Sequence, residues 1–118
     1  MAGPGPPDDQ PPAVAWEVVR APLAGIVCMH RDLGLADALS VGMYLQTLLL
    51  ALTERGLGTC VEVSIAGYPE IVHAQLEIPT ELTILCGLSV GYPDPDFPGN
   101  RPHVSRDPIE KNIVFIDS

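Results

Sequence analysis

The side chains able to do chemistry are few in this 118-residue chain and widely spaced. Cys28, Cys60 and Cys86 stand 32 and 26 residues apart, which fits neither a zinc knuckle nor the dense pairing of a small secreted scaffold, so they read as reduced thiols. No nucleophile signature surrounds any of them, and a buried structural thiol is the ordinary reading. His30, His73 and His103 share no spacing that would turn two of them toward one metal ion. No G-x-G-x-x-G and no Walker sequence follows a strand pattern; the GLG at 56–58 is too short and reads as the end of a helix. Two features remain. Glu62 lies in an alternating stretch, on the side away from Val61, Val63 and Ile65, and is expected to face polar surroundings. Arg101 and Arg106 sit in a proline-punctuated arm and could hold a phosphate through charge-assisted hydrogen bonds.

The overall charge narrows the choice of partner. Fifteen acidic side chains against six basic ones give a formal net charge of -9. With the cations scattered, a nucleic-acid ligand and an anionic membrane surface are both disfavoured. The first twelve residues, MAGPGPPDDQPP, lack the charged and apolar regions of a secretory signal, so the expected location is cytoplasmic.

Proline marks the ends of the core. Five of the thirteen prolines fall in residues 1–12 and five more in 93–108. Residues 1–21 are therefore expected to be a disordered tail and 22–118 a single domain, with a C-terminal arm from about residue 92. Within the domain, AGIVCM at 24–29 reads as a buried strand, and the proline-free stretch from Leu35 to Arg55 as one long helix. Asp32 or Asp37 is expected to cap that helix, and Gly56 or Gly58 to end it in the left-handed conformation. Its leucines cannot share one narrow stripe, so the helix should be covered on most sides. A membrane span is disfavoured, because Ser40, Gln46 and Thr47 interrupt the apolar run and Glu54-Arg55 close it. Residues 60–65 read as a strand, 69–77 as a short helix opened by Pro69, 82–90 as a central strand covered on both faces, and 112–117 as a short edge strand.

Three stretches, DLGLADALSVGMYLQTLLLALTERGLGTC, VEVSIAGYPEIV and LTILCGLSVGYPDPDFPGNRPHVSRDP, together resemble the C-terminal half of the FMN-dependent nitroreductase family. The resemblance covers about residues 22–117. It implies an α+β fold, a mixed sheet with a long central helix, in an intertwined homodimer with flavin at the dimer interface and a C-terminal arm crossing to the partner. Carried over by position, the family segment whose backbone amides approach the flavin ring falls on Glu62 and Val63. The basic residue that contacts the FMN phosphate falls on Arg106, with Arg101 as the weaker candidate. The implied activity is transfer of electrons from NADH or NADPH, through FMN, to a nitroaromatic or a quinone, with no acid or base required from the protein. Members of that family are about twice as long, and the Arg-rich opening of their N-terminal half has no counterpart in residues 1–20, so the resemblance is to a C-terminal portion. The alternative is a flavin-free module for dimerisation or interaction.

Overall fold

A computed structural model describes residues 21–101 and 103–117; the tail expected at 1–21 falls almost wholly outside them. Three strands form the sheet: β1 (Leu23–His30), β2 (Gly58–Glu62) and β3 (Leu82–Gly91), in the order β1-β3-β2. Helix α1 (Leu35–Glu54) connects the two edge strands, and helix α2 (Pro69–Leu76) lies between β2 and the central strand. Short 3₁₀ turns occupy Val63–Gly67, Pro98–Asn100 and Ile109–Lys111.

Both ladders are antiparallel, so among the described residues the sheet is not the mixed one expected. The reason lies in the connections. β1 and β2 run the same way but never pair, because β3 returns between them. The expected strand at 112–117 is likewise absent. Val114, Phe115 and Ile116 are highly exposed and pair with nothing, since apolar β-formers make a strand only where a free edge lies within reach.

The β1–β3 ladder carries a bulge. Val27 pairs with Cys86 and the next residue, Cys28, with Ile84, leaving Leu85 as the extra residue. On one side of the bulge Cys86, Leu88 and Val90 share a face with Val27, Gly25 and Leu23. Beyond it, Ile84 is turned to the opposite face, beside Cys28 and Ile26. That second face is the core: Ile84 packs with Ile65 of the 3₁₀ turn and Val72 of α2, and Ile26, Cys28 and Ile78 surround them.

Helix α1 begins at Gly34, which lacks a capping side chain. Asp37, three residues on, supplies the missing oxygen by accepting the Gly34 N–H at 2.9 Å. The aspartate expected to cap the helix thus acts from inside its first turn, where a carboxylate also favours the positive end of the helix. The other end closes as expected. Gly56 takes φ 75°, its N–H donates to the Thr53 carbonyl, and the Leu57 N–H donates to the Leu52 carbonyl. Positions Val41, Leu45, Leu48 and Leu52 are half-buried at helical spacing. None of the twenty residues is fully buried, however, and Leu35, Leu39, Met43 and Leu50 are exposed. By length and composition alone the helix reaches what a bilayer span needs, contrary to the expectation that its polar residues cut the apolar run too short. Its inner face nonetheless meets the sheet: Val41, Tyr44 and Leu48 line one open groove with Gly25, Val27 and Leu88.

Candidate functional site

The segment from Glu62 to Gly67 joins the end of β2 to a 3₁₀ turn and contains both residues onto which the flavin-ring contact was carried. Strand alternation correctly puts Glu62 on the face opposite Val61, but it puts the wrong face in water. Glu62 is buried, at 7% exposure, whereas Val61 is 38% and Val63 68% exposed. The strand stops at Glu62, and the turn then folds Ile65 back over the same face, closing it. Alternation cannot register such a change of backbone direction.

A buried carboxylate requires a donor. Ser89, on β3 and 2% exposed, donates its hydroxyl to Glu62 Oε1; the other oxygen, Oε2, is buried with no partner. The register explains the meeting. Glu62 pairs with Gly87 and Cys60 with Ser89, so Glu62 and Ser89 are diagonal neighbours on one face. Ser89 was not singled out in the sequence, where it lies inside an apolar run. The available signal was a hydroxyl inside the stretch Cys86–Val90, which is otherwise built to be dry.

Val63 follows as the first residue of the turn, with its side chain in solvent. The first amides of a helical turn have no partner within it and are available to an acceptor. Arg101 and Arg106 lie elsewhere, in the exposed arm. Arg101 Nη2 donates to the Asp96 carbonyl, and Arg106 Nη1 donates to the carbonyls of Val104 and Ser105. Among the described residues neither guanidinium pairs with a carboxylate, and the Arg106 hydrogen bonds to Val104 and Ser105 use Nη1 alone. Among the described residues no hydrogen bond or ion pair joins either arginine to Glu62 or Val63. The expected cofactor contacts thus fall on two segments of the chain, the turn after β2 and the C-terminal arm, and these share no hydrogen bond among the described residues.

Two of the three thiols, Cys28 and Cys86, belong to the sheet's covered faces. Burial, reinforced by the Cys86 thiol, pushes Cys28 up from its ordinary 9.0, and burial pushes Cys86 up as well, so both are protonated and weakly nucleophilic at neutral pH. Cys60 is exposed and all three are free. No group of three His, Cys, Asp or Glu side chains among the described residues is arranged to hold a metal ion. His73 Nδ1 donates to the Ile78 carbonyl at 2.9 Å and so helps fasten the end of α2.

An antiparallel sheet with one helix packed into its core and a longer, half-covered helix on the other face is an α+β arrangement. The neighbouring folds include the FMN and NADPH-dependent nitroreductase NfnB from Sphigopyxis sp. strain HMH, with a TM-score of 0.80 at 29% identity, covering 84% of this chain and 44% of that one. The FMN-dependent nitroreductase NfnB from Mycobacterium smegmatis, solved in complex with NADPH, gives a TM-score of 0.77 at 27% identity, covering 82% and 43%. Residues 19–92 match the model of the nitroreductase family, and the chain belongs to that family. It is 35% identical over 101 residues to 4-nitrobenzoate reductase of Nocardioides sp. (strain LMS-CY), covering 86% of this chain and 41% of the relative. It is 30% identical over 96 residues to the nitrobenzene nitroreductase of Ectopseudomonas oleovorans, covering 81% and 42%. The chain thus spans about two fifths of the length of the relatives it matches.

Proposed function

We propose that this chain is the C-terminal portion of an FMN-dependent oxidoreductase that reduces nitroaromatics or quinones with NADH or NADPH in the cytoplasm, acting as a homodimer joined along α1. The observation that carries the reading is that the described fold superposes on FMN-dependent nitroreductases, with the Glu62–Gly67 segment held against the sheet. The exposed row Leu35, Leu39, Met43 and Leu50 supports the homodimer, because burial of such a row is worth about 25 cal/mol for each Å² removed from water.

Bound FMN would supply the redox chemistry, taking hydride from the nicotinamide and delivering electrons to the acceptor. The protein's share is to bind and orient. Val63 would present an amide donor to the ring, and Arg106, with Arg101 earlier in the same arm as the weaker candidate, would hold the phosphate by charge-assisted hydrogen bonds. The chain's residues need contribute no proton transfer.

Flavin fluorescence titration tests this reading. FMN is expected to bind more tightly than riboflavin, which lacks the phosphate. Arg106→Ala should weaken FMN about ten- to a hundredfold, the worth of one charge-assisted bond, and leave riboflavin unchanged. Equal loss for both ligands would assign Arg106 to folding instead. Absence of binding to the unmutated chain would favour a flavin-free dimerisation or interaction module.

A further inference from the structure

The turn that follows β2 is fastened to the central strand at two points. At its start, the Glu62 carboxylate accepts the Ser89 hydroxyl, its one hydrogen bond among the described residues. Three residues later, Ile65 lies over Gly87, where a Cβ would collide with Ile65 Cδ1 and come within 3.6 Å of Glu62 Cβ. Gly87 and Ser89 are alternate residues of β3 and so point to the same face. One supplies a gap and the other a donor, and Val63 and Ser64 lie between the two attachments. On the central strand, neither Ser89 nor Gly87 is among the residues expected to touch the cofactor, and the Glu62 side chain is engaged by Ser89 while its backbone belongs to the expected flavin segment.

We propose that Ser89 and Gly87 are positioning residues, a two-point clamp that holds the Val63–Gly67 segment in its ligand-ready shape before any ligand arrives. The role rests on the proposed flavin site for its purpose, but the clamp itself is a property of the free chain. A segment ordered beforehand need not be ordered at the expense of binding, so the clamp raises affinity without touching the ligand.

Amide hydrogen exchange on the full chain tests the clamp directly. In the unmutated protein the amides of 65–67 are expected to exchange as slowly as those of β2, and far more slowly than those of the arm at 94–107. Ser89→Ala should accelerate exchange about tenfold at 63–67 while the β1–β3 ladder changes little, and should weaken FMN by a similar factor. Ser89→Thr restores the hydroxyl and should recover most of both effects; Gly87→Ala should reproduce the local acceleration by displacing Ile65. Exchange at 65–67 as fast as in the arm of the unmutated chain would overturn the clamp whether or not the variants fold. So would acceleration spread evenly over the whole sheet, or faster exchange at 63–67 with FMN affinity unchanged. If the unmutated chain binds no FMN but the local exchange pattern is as expected, the clamp stands as a feature of the fold and the cofactor reading fails.

Discussion

Strand β3 and helix α1 are the two most apolar segments of the chain, and they meet opposite fates. From Cys86 to Val90 every residue of β3 is buried, while α1 has no fully buried residue and leaves Leu35 89% and Leu39 68% exposed. Composition alone predicts burial for both. β3 gains its cover locally, from a strand on each side, the 3₁₀ turn and α2 on one face, and part of α1 on the other. Helix α1 has the sheet beneath its Val41–Leu48 face and nothing over its outer row among the described residues. Apolar composition states that a segment is more stable under cover, not that the same stretch of chain provides that cover.

The contrast is broken most severely from the strand side. Ile84→Ala removes the residue that joins Ile65 and Val72, and should lower stability by about 2–5 kcal/mol in a urea titration. Leu39→Ala, made in dilute protein, should change it by no more than about 0.5 kcal/mol. Similar losses from the two substitutions would show that the outer row is already covered within one chain.

The helix side is sharpened by charge. Under the proposed homodimer, the unmutated protein should sediment as a dimer at micromolar concentration, and Met43→Glu should yield monomer, because an unpaired carboxylate is costly to bury at an interface. A folded monomer before mutation would leave α1 without the second copy proposed for it.

The smallest effects concern the thiols. Cys60 should be alkylated readily at neutral pH, and Cys28 and Cys86 slowly. The raised values of the latter two also give stability a pH dependence. The unfolded chain releases these protons first, so the stabilisation is complete below 9.0 and declines as pH rises through the higher folded values. A melting temperature that rises between pH 8.5 and 10 would contradict the assignment.

Much of the architecture was legible because it depends on short-range rules. The proline-free run gave α1 nearly to the residue, Pro69 opened α2 and Gly56 closed α1, since each acts through its own backbone. The errors arose where a distant segment decides the outcome. Glu62 was assigned to a polar face because nothing in residues 60–65 says that Ile65 will turn back and that Ser89 will wait beneath. The strand expected at 112–117 had the right composition and lacked an edge. The fold family was legible through long matched stretches, which carry such distant information implicitly, whereas the grouping of the candidate site was not.

The bulge at Leu85 works as a change of phase in the central strand. In a regular strand Ile84 would share a face with Cys86, Leu88 and Val90, and the core around Ile65 and Val72 would lose its middle residue. The extra residue is what lets one continuous apolar run serve two differently composed layers, one meeting a long helix and the other a turn and a short helix. Length therefore matters unequally along β3. Loss of Leu85 would straighten the ladder and leave Ile84 on its present side, whereas loss of any single residue from Cys86 to Val90 would exchange the inside and outside of everything on one side of the gap. Two chains of this family that differ by one residue here could keep the same interior, and two of equal length could not exchange this strand unless the extra residue fell at the same place.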